Sequence, residues 1–201
     1  MATSFKRIGL TGGIGSGKST LGQMLQERGY PLINADGISH ALTAPQGAAI
    51  DPIRMSFGPE FVAADGALDR ARMRQLVFND ATAKQRLQAL LHPLILAGIQ
   101  AAEASIKDKG NSLVVIDIPL LVESAHWLAV LQQVIVVDCA EETQVARVMQ
   151  RNNLSANEVR QIMANQVTRA RRLAAADIVV FNNTDQLADL QRQAQAIQLQ
   201  N

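Results

Sequence analysis

Lys6-Arg7-Ile8-Gly9-Leu10-Thr11 followed by Gly12-Gly13-Ile14-Gly15-Ser16-Gly17-Lys18-Ser19 is the stretch that decides the fold. The first six residues read as a short buried strand. The next eight fit G-x-x-x-x-G-K-[ST] at every fixed position. Glycines let the backbone wrap an anion with its N–H groups pointing inward. The helix opening at Lys18 carries Leu21, Met24 and Leu25 at i, i+3, i+4, and its N-terminus adds partial positive charge. Lys18 places an ammonium on β- and γ-phosphates, and the Ser19 hydroxyl suits Mg²⁺. The bland alternative is a tight glycine turn closing a βα unit. An apolar strand before the loop and an amphipathic helix after it argue against that.

Four further runs read as strands: Pro31-Leu32-Ile33, Ser112 to Ile118, Val134 to Asp138 and Asp177 to Phe181. Continuous apolar strands alternating with helices indicate an α/β fold with a five-stranded parallel sheet covered on both faces. The stretch 37–110 has little strand signal. Asp65-Gly66 marks a turn there, Asp69 and Asp80 are set to cap helices, and Pro93 is expected to begin a new helix with His92 at its boundary. In 141–173, Val145, Val148 and Met149 face inward on one helix, and Ser155-Ala156-Asn157-Glu158 is a capping box before Val159, Ile162 and Met163. The last helix buries Leu187, Leu190, Ala194 and Ile197. The expected division is a core of about 1–36, 111–140 and 174–201, a substrate-binding helical insertion of about 37–110, and a helical lid of about 141–173.

Composition narrows the function classes. The chain has 201 residues, 19 basic and 18 acidic side chains, a net charge of +1 and 3% aromatics. Neither a basic excess nor a stacking surface for nucleic acid is present. No unbroken apolar run reaches the length of a membrane span. The N-terminus lacks a signal pattern, and the single cysteine, Cys139, cannot pair internally. A cytoplasmic protein that binds neither nucleic acid nor membrane is expected, as a monomer or weak oligomer.

The remaining candidates follow from position. Asp36 comes just after the second strand, where ligands of open parallel sheets bind. It is placed to take a proton from an attacking alcohol, to reach Mg²⁺ through water, or to cap the next helix. Asp117, ending the third strand, is either a Mg²⁺ contact or an ordinary strand-end acid, and Glu123 either shares that crevice or is solvated. Arg147 and Arg151, four apart, suit ATP phosphates or a solvated basic face; Arg70 and Arg74 pose the same choice for an anionic substrate. Cys139 reads as a buried small hydrophobe. His40 and His126 carry no constellation, and no zinc spacing appears. Asn182-Asn183-Thr184-Asp185 faintly resembles a guanine-reading loop without its lysine, and reads as an adenine-side contact or a helix start.

Together these residues resemble the dephospho-CoA kinase family. The resemblance is carried by Leu10 through Thr20, Asn34-Ala35-Asp36, Phe57-Gly58, Asp65-Gly66-Ala67-Leu68-Asp69-Arg70, Arg74-Gln75-Leu76-Val77-Phe78, Leu91-His92-Pro93, Ile118-Pro119-Leu120-Leu121-Val122-Glu123 and Asn182-Asn183. It implies a P-loop kinase with a nucleotide-binding core, a helical CoA-binding domain and a mobile lid. It implies transfer of the ATP γ-phosphate to the ribose 3′-hydroxyl of dephospho-CoA, the last step of coenzyme A synthesis. By position, Gly13, Gly15, Ser16, Gly17, Lys18, Ser19, Thr20, Arg147 and Asn182 hold ATP, with Ser19 and Asp117 at Mg²⁺. Asp36, Lys18 and Arg151 are catalytic, and Asp36, Arg70, Arg74 and His92 meet the acceptor. Two departures stand out. Asn34 replaces an acid often found there, and Thr184 replaces a common glycine. Another P-loop kinase, or a nucleotide-dependent switch, is the rival reading; the third strand lacks the Asp-x-x-Gly of such a switch.

Overall fold

β1 (Lys6–Gly12) lies at the centre of the sheet and is buried from Ile8 onward, as a run of apolar residues with no polar face requires. The computed structural model describes residues 5–184 and 186–199, without the side chains of residues 125 and 126. The readings placed on His126, on Asp185 and on the first four residues lie outside the described residues. β2 (Leu32–Asn34), β3 (Leu113–Asp117), β4 (Gln133–Asp138) and β5 (Ile178–Phe181) complete a five-stranded sheet in the order β2-β3-β1-β4-β5. β1 runs parallel to β3, with Leu10 opposite Asp117, and to β4, with Gly12 opposite Val137. The phosphate-loop end of β1 is therefore flanked by the last residues of both neighbours.

The described residues of Met1–Ile33 and Ile106–Asn201 form one compact unit, and Asn34–Ser105 another. In the first, α1 (Lys18–Glu27) and α10 (Leu187–Ala196) cover one core made by Ile8, Leu10, Leu21, Leu25, Val115, Ile135 and Val180. Arg28 donates to the carbonyls of Ala194 and Ile197 at the end of α10. On β5, the Phe181 N–H donates to Gln193 Oε1 at 2.9 Å, and Gln193 Nε2 returns a bond to Phe181 O at 2.8 Å. α6 (Ala125–Val130) leads into β4. α7 (Glu141–Asn152), α8 (Ala156–Ala164) and α9 (Arg169–Ala174) lie between β4 and β5. The capping box forms: Glu158 N–H reaches Ser155 Oγ, and Glu158 Oε2 accepts from Ser155 N–H at 2.8 Å. Val145, Val148 and Val159 form a small separate cluster here, but Met149 is 38% exposed, contrary to the inward position expected for it, and Ile162 is exposed to the same extent. Leu187 is likewise exposed, because it stands on the first turn of α10, ahead of the part that meets the sheet.

The second unit is helical: α2 (Ala35–Leu42), α3 (Ile50–Phe57), a 3₁₀ turn at Pro59–Phe61, α4 (Arg70–Asn79) and most of α5 (Ala81–Asp108). Its core gathers Ile50, Ile53, Phe57, Phe61, Leu68 and Met73, with Phe57 and Phe61 edge to face at 6.0 Å. Asp69 and Asp80 cap α4 and α5 as expected, accepting from Arg72 N–H at 2.9 Å and Thr82 N–H at 2.8 Å. Val62 and Leu68 pair across the Asp65-Gly66 turn.

One expectation is corrected here. Pro93 does not open a helix; it sits inside α5, and His92 is mid-helix. Proline removes one N–H from the ladder, but Pro93 and Ala89 are exposed, so water can satisfy the freed carbonyl. α5 also has an 18-residue window of mean hydropathy 1.4, enough by length and composition to cross a membrane. Scattered polar residues hide it from a search for an unbroken apolar run.

Candidate active site

Positive φ at Gly15 (75°) and Gly17 (92°) shapes the loop between β1 and α1. Only glycine adopts that region without strain. Ser16 N–H donates to Gly13 O at 3.1 Å, closing the turn. Ser16 Oγ is buried with no hydrogen-bond partner, packed against Gly12 at the end of β1. Lys18 Nζ is paired with Asp117 Oδ1, and both side chains are largely buried. The end of β3 therefore holds the lysine over the loop. Ser19 and Thr20 lie exposed on the first turn of α1.

The loop is buttressed from three directions. Asn182 Nδ2 donates to Ser16 O at 2.8 Å. Ile14 N–H donates to Gln166 Oε1 at 3.1 Å, and the Ile14 side chain packs on the Val145–Val148–Val159 cluster. At Gly13, an added methyl would stand 3.0 Å from Arg172 Nη1 and 2.6 Å from Gln144 Oε1.

The arginines divide differently from the sequence expectation. Arg147 Nη1 donates to Asn182 O at 2.9 Å and Nη2 to Thr184 O at 2.6 Å, so its fork fastens the loop after β5. Asn183 Oδ1 completes that fastening, accepting from Ala140 N–H and Thr143 Oγ1. Arg151 is exposed and bonded to its neighbour Asn152; the structure does not bring it to the loop. Two arginines not singled out in the sequence are firmly anchored. Arg169 makes a two-pronged bond to buried Asp138, at 2.9 and 2.7 Å. Arg172 is only 7% exposed and donates to Val167 O at 3.0 Å. Burial pushes the Arg172 guanidinium down from its ordinary value, while Glu123 and Asp138 pull it up. Their sequence signal was the arginine density of α9; nothing in the sequence distinguished Arg172 from Arg171. Glu123 accepts from Val167 N–H at 2.8 Å, which ties it to the α8–α9 connection.

Asp36, Arg70, Arg74 and His92 belong to the second unit. Asn34, not Asp36, caps α2, accepting from Gly37 N–H at 2.9 Å. Asp36 is left exposed on the first turn, with no hydrogen bond or ion pair among the described residues. Arg70 Nη2 donates to buried Thr43 Oγ1 at 2.6 Å, Arg74 is exposed on the same helix, and His92 is exposed on α5.

A parallel sheet whose central strand runs through this loop into a helix, with its lysine and a neighbouring strand-end acid in contact, defines a P-loop kinase fold that holds nucleotide phosphates. The match extends well past the loop. The family model for dephospho-CoA kinase matches residues 6–189, and the chain belongs to that family. A dephospho-CoA kinase of Albidiferax ferrireducens is 48% identical over 184 residues, 92% of this chain and 87% of the relative. One from Bordetella pertussis is 55% identical over 177 residues, 88% and 81% of the two chains. Among solved structures, TT1252 from Thermus thermophilus superposes with a TM-score of 0.83 at 32% identity, covering 96% of each chain. A dephospho-CoA kinase from Campylobacter jejuni gives 0.68 at 28%, covering 94% of each.

Proposed function

We propose a division of labour for the reaction of this family, transfer of the ATP γ-phosphate to the ribose 3′-hydroxyl of dephospho-CoA. The observation that carries it is the complete phosphate loop with Lys18 held by Asp117, in a chain matched to the family from 6 to 189. Phosphoryl transfer depends mostly on positioning and charge stabilisation. The loop amides and the α1 N-terminus bind the phosphates, and Lys18 leaves Asp117 for the β/γ oxygens. Asn182 and Arg147 shape the loop on the adenine side.

The residues fit a magnesium ion brought in with ATP. Ser19 and Asp117 offer two hard oxygen donors, and no group of three or more acids, histidines or cysteines gathers among the described residues. That is the pattern for Mg²⁺ that keeps water and phosphate as its other ligands. When bound, the ion neutralises charge on the phosphates.

Asp36 is the base for the acceptor hydroxyl. Its support is its position two residues past the end of β2, since ligands of parallel sheets bind beyond the strands' carboxyl ends, and its unengaged, exposed carboxylate. Arg70, held by Thr43, with Arg74 and His92, belongs to the acceptor side. Residues 141–173 act as the lid, closing to exclude water and limit wasteful hydrolysis.

The deciding experiment measures ADP release from Mg-ATP with and without dephospho-CoA, with the product identified by mass. Dephospho-CoA-dependent release giving coenzyme A is expected; background hydrolysis alone refutes the acceptor. Asp36→Asn is expected to lose most of kcat while ATP binding survives, and near-normal turnover removes Asp36 as base.

A further inference from the structure

A buried guanidinium whose N–H donors meet no carboxylate is poorly satisfied, and an anionic ligand can supply the missing acceptors. Arg172 is such a cation. It is more than nine-tenths buried, and its one hydrogen-bond acceptor among the described residues is the neutral carbonyl of Val167. A guanidinium has five N–H donors in a planar fork, so most of the fork is free. Its Nη1 lies against Gly13 at the start of the phosphate loop, and the head lines a cavity of about 410 Å³ shared with Gln144, Gln166 and Arg169. Gln166 in turn holds the Ile14 amide.

The other arginines of α7–α9 are spent or misplaced. Arg147 is bound to two carbonyls, Arg169 to Asp138, and Arg151 to Asn152 at the surface. Arg160 and Arg171 are exposed.

We propose that Arg172 is the catalytic arginine that grips the transferring phosphate of ATP, a role the sequence pattern assigned to Arg147 or Arg151. The proposal rests on the phosphoryl transfer described above. In that step the acceptor oxygen bonds to the γ-phosphorus as the bond from that phosphorus to the β,γ-bridging oxygen breaks. The hydroxyl proton passes to Asp36, and the electron pair stays with departing ADP. Negative charge shifts toward the bridge and the equatorial oxygens. A two-pronged donor beside Gly13 meets it without reorganising water.

The test compares Arg172→Gln and Arg172→Lys with the wild-type chain. It reads kcat with dephospho-CoA, the affinities for ADP and for the β,γ-imido analogue of ATP, and Tm. The Gln variant is expected to lose about 10²–10³-fold in kcat and about tenfold in analogue affinity, with ADP affinity within about threefold. The Lys variant keeps the charge and is expected to recover only a minor part, because an ammonium cannot form the fork. A kcat within about threefold of wild type overturns the proposal. Equal losses for ADP and the analogue, tracking a fall in Tm, overturn it too, because they mark a packing residue. If Arg172→Gln does not fold, Arg172→Lys decides by the same criteria. If the wild-type chain makes no product from dephospho-CoA, the acceptor reading falls, and the analogue-against-ADP contrast alone decides Arg172.

Discussion

Gly17→Ala joins backbone strain and a side-chain clash at one position. Gly17 has φ 92° and ψ 17°, the left-handed region, immediately before α1. An L-residue there costs about 1–2 kcal/mol. The new methyl would also overlap Asn182 Nδ2. Asn182 must swing away and give up its 2.8 Å bond to Ser16 O, for about 1 kcal/mol more. The sum is about 2–3 kcal/mol. For a chain of this length each kcal/mol moves Tm by about 2–4 °C, so a fall of about 4–12 °C is expected by calorimetry. A double-mutant cycle separates the two parts. Asn182→Ala alone should cost about 1 kcal/mol. The pair should cost about 1 kcal/mol less than the sum of the singles, because the hydrogen bond is lost only once. A Tm within about 1 °C of wild type for Gly17→Ala, or strict additivity in the cycle, refutes the reasoning.

Two more outcomes are expected. Asp117→Asn removes the Lys18 partner and one proposed metal donor, so the rate should fall at least about tenfold and half-saturation by Mg²⁺ should move to higher concentration. A reduced rate with unchanged Mg²⁺ dependence would leave Asp117 as the lysine's counter-ion only. Burial pushes the Cys139 thiol up from its ordinary value, and the side chain is inaccessible, so a disulfide reagent at neutral pH should label it only on unfolding. Stoichiometric labelling of the native chain within minutes contradicts that environment.

The features legible in the sequence were those written in local chemistry. β1 and its loop carry a fixed spacing, and the apolar runs at Ser112–Ile118 and Val134–Asp138 could only be buried strands. Asp69, Asp80 and the Ser155–Glu158 pair announced helix starts because capping is decided within four residues. What escaped depended on contacts made far along the chain. Arg172 is distinguished by its burial beside Gly13, which no pattern within α9 encodes. Arg147 and Arg151 share a spacing, but the loop after β5 captures one and leaves the other in solvent. Asn34 and Asp36 are both good caps, and the chain's exit from β2 gave the role to Asn34. Pro93 was misread because exposure, not sequence, decides whether a helix tolerates it.

The bonds from Gln193 to Phe181 bear on the open edge of the sheet. β5 is the outer strand on its side of the sheet, and Val179 and Phe181 on it are about half exposed. An outer strand with apolar side chains and free peptide groups is a template on which a foreign strand can grow. At Phe181 both backbone groups are already engaged by one glutamine amide from α10. That amide has the same donor and acceptor as a peptide bond, so it ends the ladder as a further strand would begin it. A single side chain thus closes the end of β5 to a further strand, in the stretch that leads directly into Asn182.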